Sequence, residues 1–246
     1  MLVLKGEIGY PSALSAPTWG FYDVSFQGKP FQFQRPYGTY VMENVLFKIS
    51  YPAEFHAQTA VEAAVALHPE VLPRLQEVDK VVLTTHESAI RIISKTGALN
   101  NPADRDHCLQ YMVAVGLLKG DLVAADYEDS VASDSRLDRI RESMVVEEDV
   151  RFSEEYHQPE KRSIANAVQV FFRDGTATEK VTVEYPLGHR RRRKEGIPLL
   201  EDKFRRNLSA RFPAPRANEI ETLCMDQDAL ESTPVDEFMG LLVVPS

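Results

Sequence analysis

The chain has 246 residues, 43% of them apolar and 26% charged, and carries a net charge of −9. This composition fits one large or two small globular domains and excludes a collagen-like repeat, and no apolar run approaches the roughly 20 residues of a membrane span. The acidic total disfavours unspecific binding to nucleic-acid phosphates. The two cysteines, Cys108 and Cys224, are too few for a disulfide framework or an iron–sulfur cluster, and they fit a reducing compartment.

In chain order, Met1 to Lys5 followed by Gly6 reads as the last turn of a helix with its terminal glycine, as if the chain began inside a larger fold. The first forty residues then hold nine of the 22 aromatic residues, from Tyr10, Trp19 and Phe21 to Phe33, Tyr37 and Tyr40, interleaved with Pro11, Pro17, Pro30 and Pro36. Prolines at this density prevent long ladders, and no amphipathic helix accompanies the aromatics. From Asn44 the pattern becomes regular. Val45, Phe47 and Ile49 alternate like a strand, Pro52 suits the first position of a helix running to about His68, and Val78 to Thr84 reads as a second strand. Asn101-Pro102 caps a helix expected to run unbroken to about Leu118, before Gly120. Residues 121–162 read as acidic surface helix and loop. Val168 to Phe172 and Val181 to Tyr185, joined through Asp174-Gly175, form a hairpin, and helices return from about Pro198. The class is α+β, with two or three strand pairs and flanking helices.

Three segments carry residues suited to chemistry. In Lys48-Ile-Ser-Tyr-Pro-Ala-Glu-Phe-His56, a strand-end lysine faces a helix start whose unpaired N–H groups attract carboxylates, and whose field favours neutral His56. A solvated lysine and a capping histidine fit the same spacing. In Asp104-Arg-Asp-His107-Cys-Leu-Gln-Tyr111, positions 104, 107 and 111 share a helix face, so that Asp104 can orient His107 beside the Tyr111 phenol. A polar first turn leading into a buried helix fits equally. Neither histidine has zinc-site spacing, so no metal is expected. Gly188-His-Arg-Arg-Arg-Arg-Lys194 reads either as a solvated face or as a positive rim attracting a polyanionic small molecule, with Arg190 and Arg191 as candidate contacts.

Together, residues 9–23, 47–64, 101–114, 160–167 and 184–193 resemble the MmgE/PrpD family, most closely its branch that dehydrates 2-methylcitrate. The likeness runs along the whole chain but corresponds to about the C-terminal half of a usual member. It implies a small α+β lid closing on a large all-helical domain, with the active site between them. Residues 1–45 would then be a remnant of the helical domain, 46–187 the lid, and 188–246 helices returning to the helical domain. The resemblance further implies a hydro-lyase making 2-methyl-cis-aconitate in propionate breakdown. Lys48, Tyr111 and His107 match catalytic positions, and His56 matches more loosely as a substrate contact. Without an iron–sulfur cluster such a reaction needs acid–base side chains and no cofactor. The implied partners are a tricarboxylate, the missing N-terminal half and a second copy in a homodimer, in the cytoplasm or, in a eukaryote, the mitochondrial matrix. Two alternatives stand beside this reading: a non-catalytic fragment or split subunit that binds a tricarboxylate, and a family enzyme acting like cis-aconitate decarboxylase.

Overall fold

The computed structural model describes residues 3–7, 9–33, 38 and 40–243. Met1, Leu2, Pro36 and Tyr37, all used in the sequence reading, lie outside them. Contacts divide the chain into two units, Met1–Glu43 and Asn44–Ser246.

In the first unit, a short 3-10 turn at Val3–Lys5 ends at Gly6, whose φ of +82° is one that glycine adopts without strain. Helix α1 (Phe21–Phe26) is brief, and α2 (Tyr40–Asn44) reaches the unit boundary. The aromatic segment packs largely on itself. Ring centroids of Phe21 and Phe26 lie 5.4 Å apart, those of Phe26 and Phe31 5.6 Å, and those of Phe31 and Phe33 5.0 Å. Trp19 nevertheless remains 85% exposed.

The second unit is built on a four-stranded sheet of order β2-β1-β3-β4, where β1 is Val78–Thr85, β2 Met144–Glu148, β3 Asn166–Phe172 and β4 Val181–Val183. Strands β1 and β2 run parallel, whereas β1–β3 and β3–β4 are antiparallel. Helix α3 (Gln58–Val71) packs on β3 and β4, and its Ala60, Val61, Ala63 and Ala64 are fully buried. Helix α4 (Glu87–Ile93) follows β1. Next come α5 (Pro102–Asp106) and α6 (Leu109–Lys119), the latter buried along nearly its whole length against α3. Short α7 (Asp129–Ala132) and α8 (Ser135–Glu142) lead to β2, and α9 (Val150–His157) leaves it. Four helices end the chain: α10 (Arg193–Arg211), α11 (Ala214–Met225), α12 (Gln227–Ser232) and α13 (Val235–Leu241). The fold is α+β.

Four local expectations are corrected. Residues 45–49 are extended but join no sheet; Phe47 N–H donates to the Gly188 carbonyl at 3.2 Å, and a Cβ on Gly188 would lie 1.6 Å from the Phe47 oxygen. The helix expected from Pro52 begins only at a 3-10 turn, Phe55–Ala57, because Glu54 caps that turn. The helix after Asn101 breaks at His107–Cys108, dividing α5 from α6. Strand β2 lies inside the segment read as acidic surface, its alternation too short and too acidic to stand out. The Asn101 cap and the left-handed Gly120 terminus agree with expectation.

Candidate active site

Because β1 and β2 are parallel, their carboxyl ends lie at the same sheet edge, where ligand crevices of α/β sheets form. His86 follows β1 and caps α4, its Nδ1 accepting from Ala89 N–H at 3.3 Å. Asp149 follows β2 and starts α9; its own N–H donates to the Thr85 carbonyl, and Ser153 Oγ accepts from Glu87 N–H at 2.8 Å. These bonds fasten α9 to the start of α4 and bring Tyr156, in the last turn of α9, over His86. The two rings stack at 4.7 Å and 12°.

The turn Phe55–Ala57 meets this pair. Glu54 accepts from the His56 main-chain N–H at 2.8 Å, and its carboxylate lies 2.9 Å from His56 Nδ1. A proton on Nδ1 satisfies that contact and leaves Nε2 as an acceptor, 3.1 Å from the Tyr156 hydroxyl. The result is a carboxylate–imidazole–phenol chain. It is anchored from below by Asn166, whose Nδ2 donates to the His56 carbonyl and to Thr59 Oγ1. Burial alone would raise the Glu54 carboxyl, but hydrogen bonds to His56 and the charges of His56 and His107 outweigh it and hold it below the ordinary range. Burial lowers His86 to about 4, helped by His56, so this imidazole is neutral at pH 7. Its Nε2 is buried with no partner among the described residues.

Several sequence candidates gather here. Lys48 Nζ lies 5.0 Å from the ring centroid of Phe55, the residue between Glu54 and His56, and no described carboxylate pairs with it. Its carbonyl accepts from Lys203 Nζ at 2.6 Å; burial and then the charges of Lys48 and Arg206 lower Lys203. His107 is close enough to act on Glu54, though it is half exposed and pairs with Asp106 at 2.5 Å. The expected row of Asp104, His107 and Tyr111 is not formed. The break between α5 and α6 removes the shared face, and Asp104 instead caps locally, accepting from Asn100 N–H.

Tyr111 lies elsewhere. Its buried hydroxyl donates to the Asp126 carbonyl at 2.6 Å, and burial, then Asp126 and Asp138 against Arg105, pushes it up to about 12. It lines a cleft of about 380 Å³ with Arg105, Asp129 and Arg141, where Arg105 pairs with Asp129 at 2.6 Å.

The basic run is internally committed rather than a free rim. Arg190 donates to Asn44 Oδ1, Arg191 to the Glu160 carbonyl, and Arg192 to Glu62 and Glu195, while Arg193 stacks over Phe47. His189 beneath them is buried and lowered to about 4, first by burial and then by Arg190, Arg191 and Arg193. Sequence reasoning missed Glu54, His86 and Tyr156 as a set. Glu54, two residues from His56, was within reach of a capping argument; His86 and Tyr156 are joined to it only by strand pairing. Among the described residues, no group of three or more His, Cys, Asp or Glu side chains is arranged to hold a metal.

A family model described as the MmgE/PrpD C-terminal domain matches residues 51–227. The chain belongs to the MmgE/PrpD family. Among curated relatives, the 2-methylcitrate dehydratase of Escherichia coli K12 is 57% identical over 247 aligned positions, covering 99% of this chain and 51% of that protein. The mitochondrial 2-methylcitrate dehydratase of Yarrowia lipolytica is 54% identical, covering 99% of this chain and 47% of its own length. A 2-methylcitrate dehydratase-like protein of Aspergillus oryzae is 42% identical, over 98% of this chain and 49% of itself. The chain therefore spans about half the length of the curated relatives it matches.

Proposed function

We propose that this chain is the C-terminal half of a hydro-lyase that converts 2-methylcitrate to 2-methyl-cis-aconitate in propionate breakdown. One observation carries the reading: 57% identity to a 2-methylcitrate dehydratase along 99% of the chain. In this reading residues 46–187 are an α+β lid, and residues 1–45 and 188–246 belong to a helical domain completed by an N-terminal half. Homodimers of the completed enzyme work in the cytoplasm, or in the mitochondrial matrix of a eukaryote; the name of the Yarrowia relative calls that protein mitochondrial.

The chemistry requires a base for a proton beside a carboxylate, an acid for the departing hydroxyl, and cations for three carboxylates. Lys48 offers charge to a carboxylate at the turn around Phe55, where both ring nitrogens of His56 face Glu54 and Tyr156, with His107 adjoining through its field on Glu54. Arg190 and Arg191 add long-range attraction while tied to the Glu160 carbonyl. The proton-transfer role expected of Tyr111 is not part of this proposal, because its buried hydroxyl is committed to the Asp126 carbonyl.

The test is to mix this chain with a separately expressed N-terminal half of a relative and to follow absorbance of the unsaturated product. Dehydration of 2-methylcitrate by the mixture, and by neither half alone, is the expected result. A mixture that binds a tricarboxylate without turnover would leave the split-subunit binding role, and carbon dioxide release from cis-aconitate would move the chain to the decarboxylase reading.

A further inference from the structure

Deepening the hydro-lyase reading and resting on it, we infer that Tyr156 is a catalytic residue, acting through His56 and Glu54 as a three-member proton relay. The geometry contains its own direction of transfer. Glu54 faces His56 Nδ1 at 2.9 Å, so the imidazole carries its proton there and presents a bare Nε2 to the Tyr156 hydroxyl at 3.1 Å. In this tautomer the phenol is the donor. When the Tyr156 proton moves to Nε2, the imidazolium formed is held by the Glu54 carboxylate, the same division of labour as nucleophile, imidazole and carboxylate in hydrolytic triads.

The relay is poised rather than sealed. Glu54 and His56 side chains are 18% and 12% exposed and Tyr156 is half-buried, so the three groups lie near the surface with Glu54 and His56 largely screened. His86 fixes the ring from its buried side, stacked at 4.7 Å with its own Nδ1 occupied by the α4 cap. Lys48, beside Phe55 and without a described carboxylate partner, offers charge for a substrate carboxylate next to the reacting carbon.

The step balances without a co-reactant. The Tyr156 oxygen takes the proton from the carbon adjacent to a carboxylate, as its own proton passes to His56 Nε2. The carbon–hydrogen electron pair becomes the new double bond and the carbon–oxygen bond breaks. The departing hydroxide takes the tyrosyl proton and leaves as water, and His56 returns its proton to the phenolate oxygen. All three side chains end as they began.

Tyr156→Phe keeps the stacked ring and removes only the hydroxyl. In the assembly of this chain with an N-terminal half, kcat should fall about 100-fold or more, with KM within about threefold and the melting temperature unchanged. Retention of kcat within tenfold overturns the inference. A second measurement, 15N NMR of the histidines in the chain itself, separates this from failure of the hydro-lyase reading. His56 should show a protonated Nδ1 and an accepting Nε2, with the Nε2 signal displaced in Tyr156→Phe. A proton resident on Nε2 overturns the relay whether or not the assembly turns over 2-methylcitrate, whereas the expected tautomer in an assembly inactive on 2-methylcitrate supports the relay and refutes only the substrate assignment.

Discussion

Two tyrosines in this chain show how far a shared residue type can diverge. Tyr111 sits on the buried helix α6, its hydroxyl donated to the Asp126 carbonyl and its pKa pushed up to about 12. Tyr156 ends the short amphipathic α9, its hydroxyl 3.1 Å from the nitrogen of an imidazole that is itself backed by a carboxylate. A carbonyl cannot take a proton at ordinary pH, whereas an imidazole can. What a phenol faces, and not its spacing from a histidine in sequence, decides whether it stabilises a fold or moves a proton.

The largest separation between the two regions is expected from Tyr156→Phe, the loss of about 100-fold in kcat described above. Glu54→Gln comes next. An amide keeps the cap on the Phe55–Ala57 turn but cannot hold an imidazolium, so turnover should fall at least about tenfold with little change in melting; an unchanged rate would detach Glu54 from the relay. Tyr111→Phe should act on stability, removing one buried hydrogen bond worth about 1 kcal/mol in chemical denaturation while turnover stays within a few-fold. A last effect, confined to one region, appears with pH. His86 has a folded pKa near 4, below the ordinary histidine value, so unfolded chains bind the extra proton and stability falls as pH drops from about 6.5 towards 4. Above that window it contributes no slope. Hydrogen exchange should therefore show α4 and α9 losing protection at pH 5 before α6, and equal loss in all three would contradict the assignment.

Much of the fold was readable because its signals are local. The alternation of β1 and β3, the Asn101 cap and the Gly120 terminus each declare themselves within a few residues. The 45–49 segment misled because alternating apolar residues also serve a stretch outside any sheet, pinned by Gly188, Arg193 and Lys203. The break at His107–Cys108 was hidden by continuous helical periodicity on both sides of it. At the site, His107 came from a separate motif whose expected row with Asp104 and Tyr111 is not formed, whereas Lys48 and His56 flank one turn. Their chemical partners were not legible, since Tyr156 reaches His56 across 100 positions through parallel pairing of β1 with β2. The arginines misled differently: a run of like charges looks solvated until the carbonyls and carboxylates that neutralise it come from residues 44 to 62 and 160 to 195.

The most direct test sets the two phenols against each other in a single assay. This chain, as Tyr156→Phe and as Tyr111→Phe, is combined with the same N-terminal half and supplied with 2-methylcitrate at saturation. The account predicts that the first combination all but stops forming unsaturated product while the second runs near the unsubstituted rate. The opposite ranking would place proton transfer at Tyr111 and contradict it.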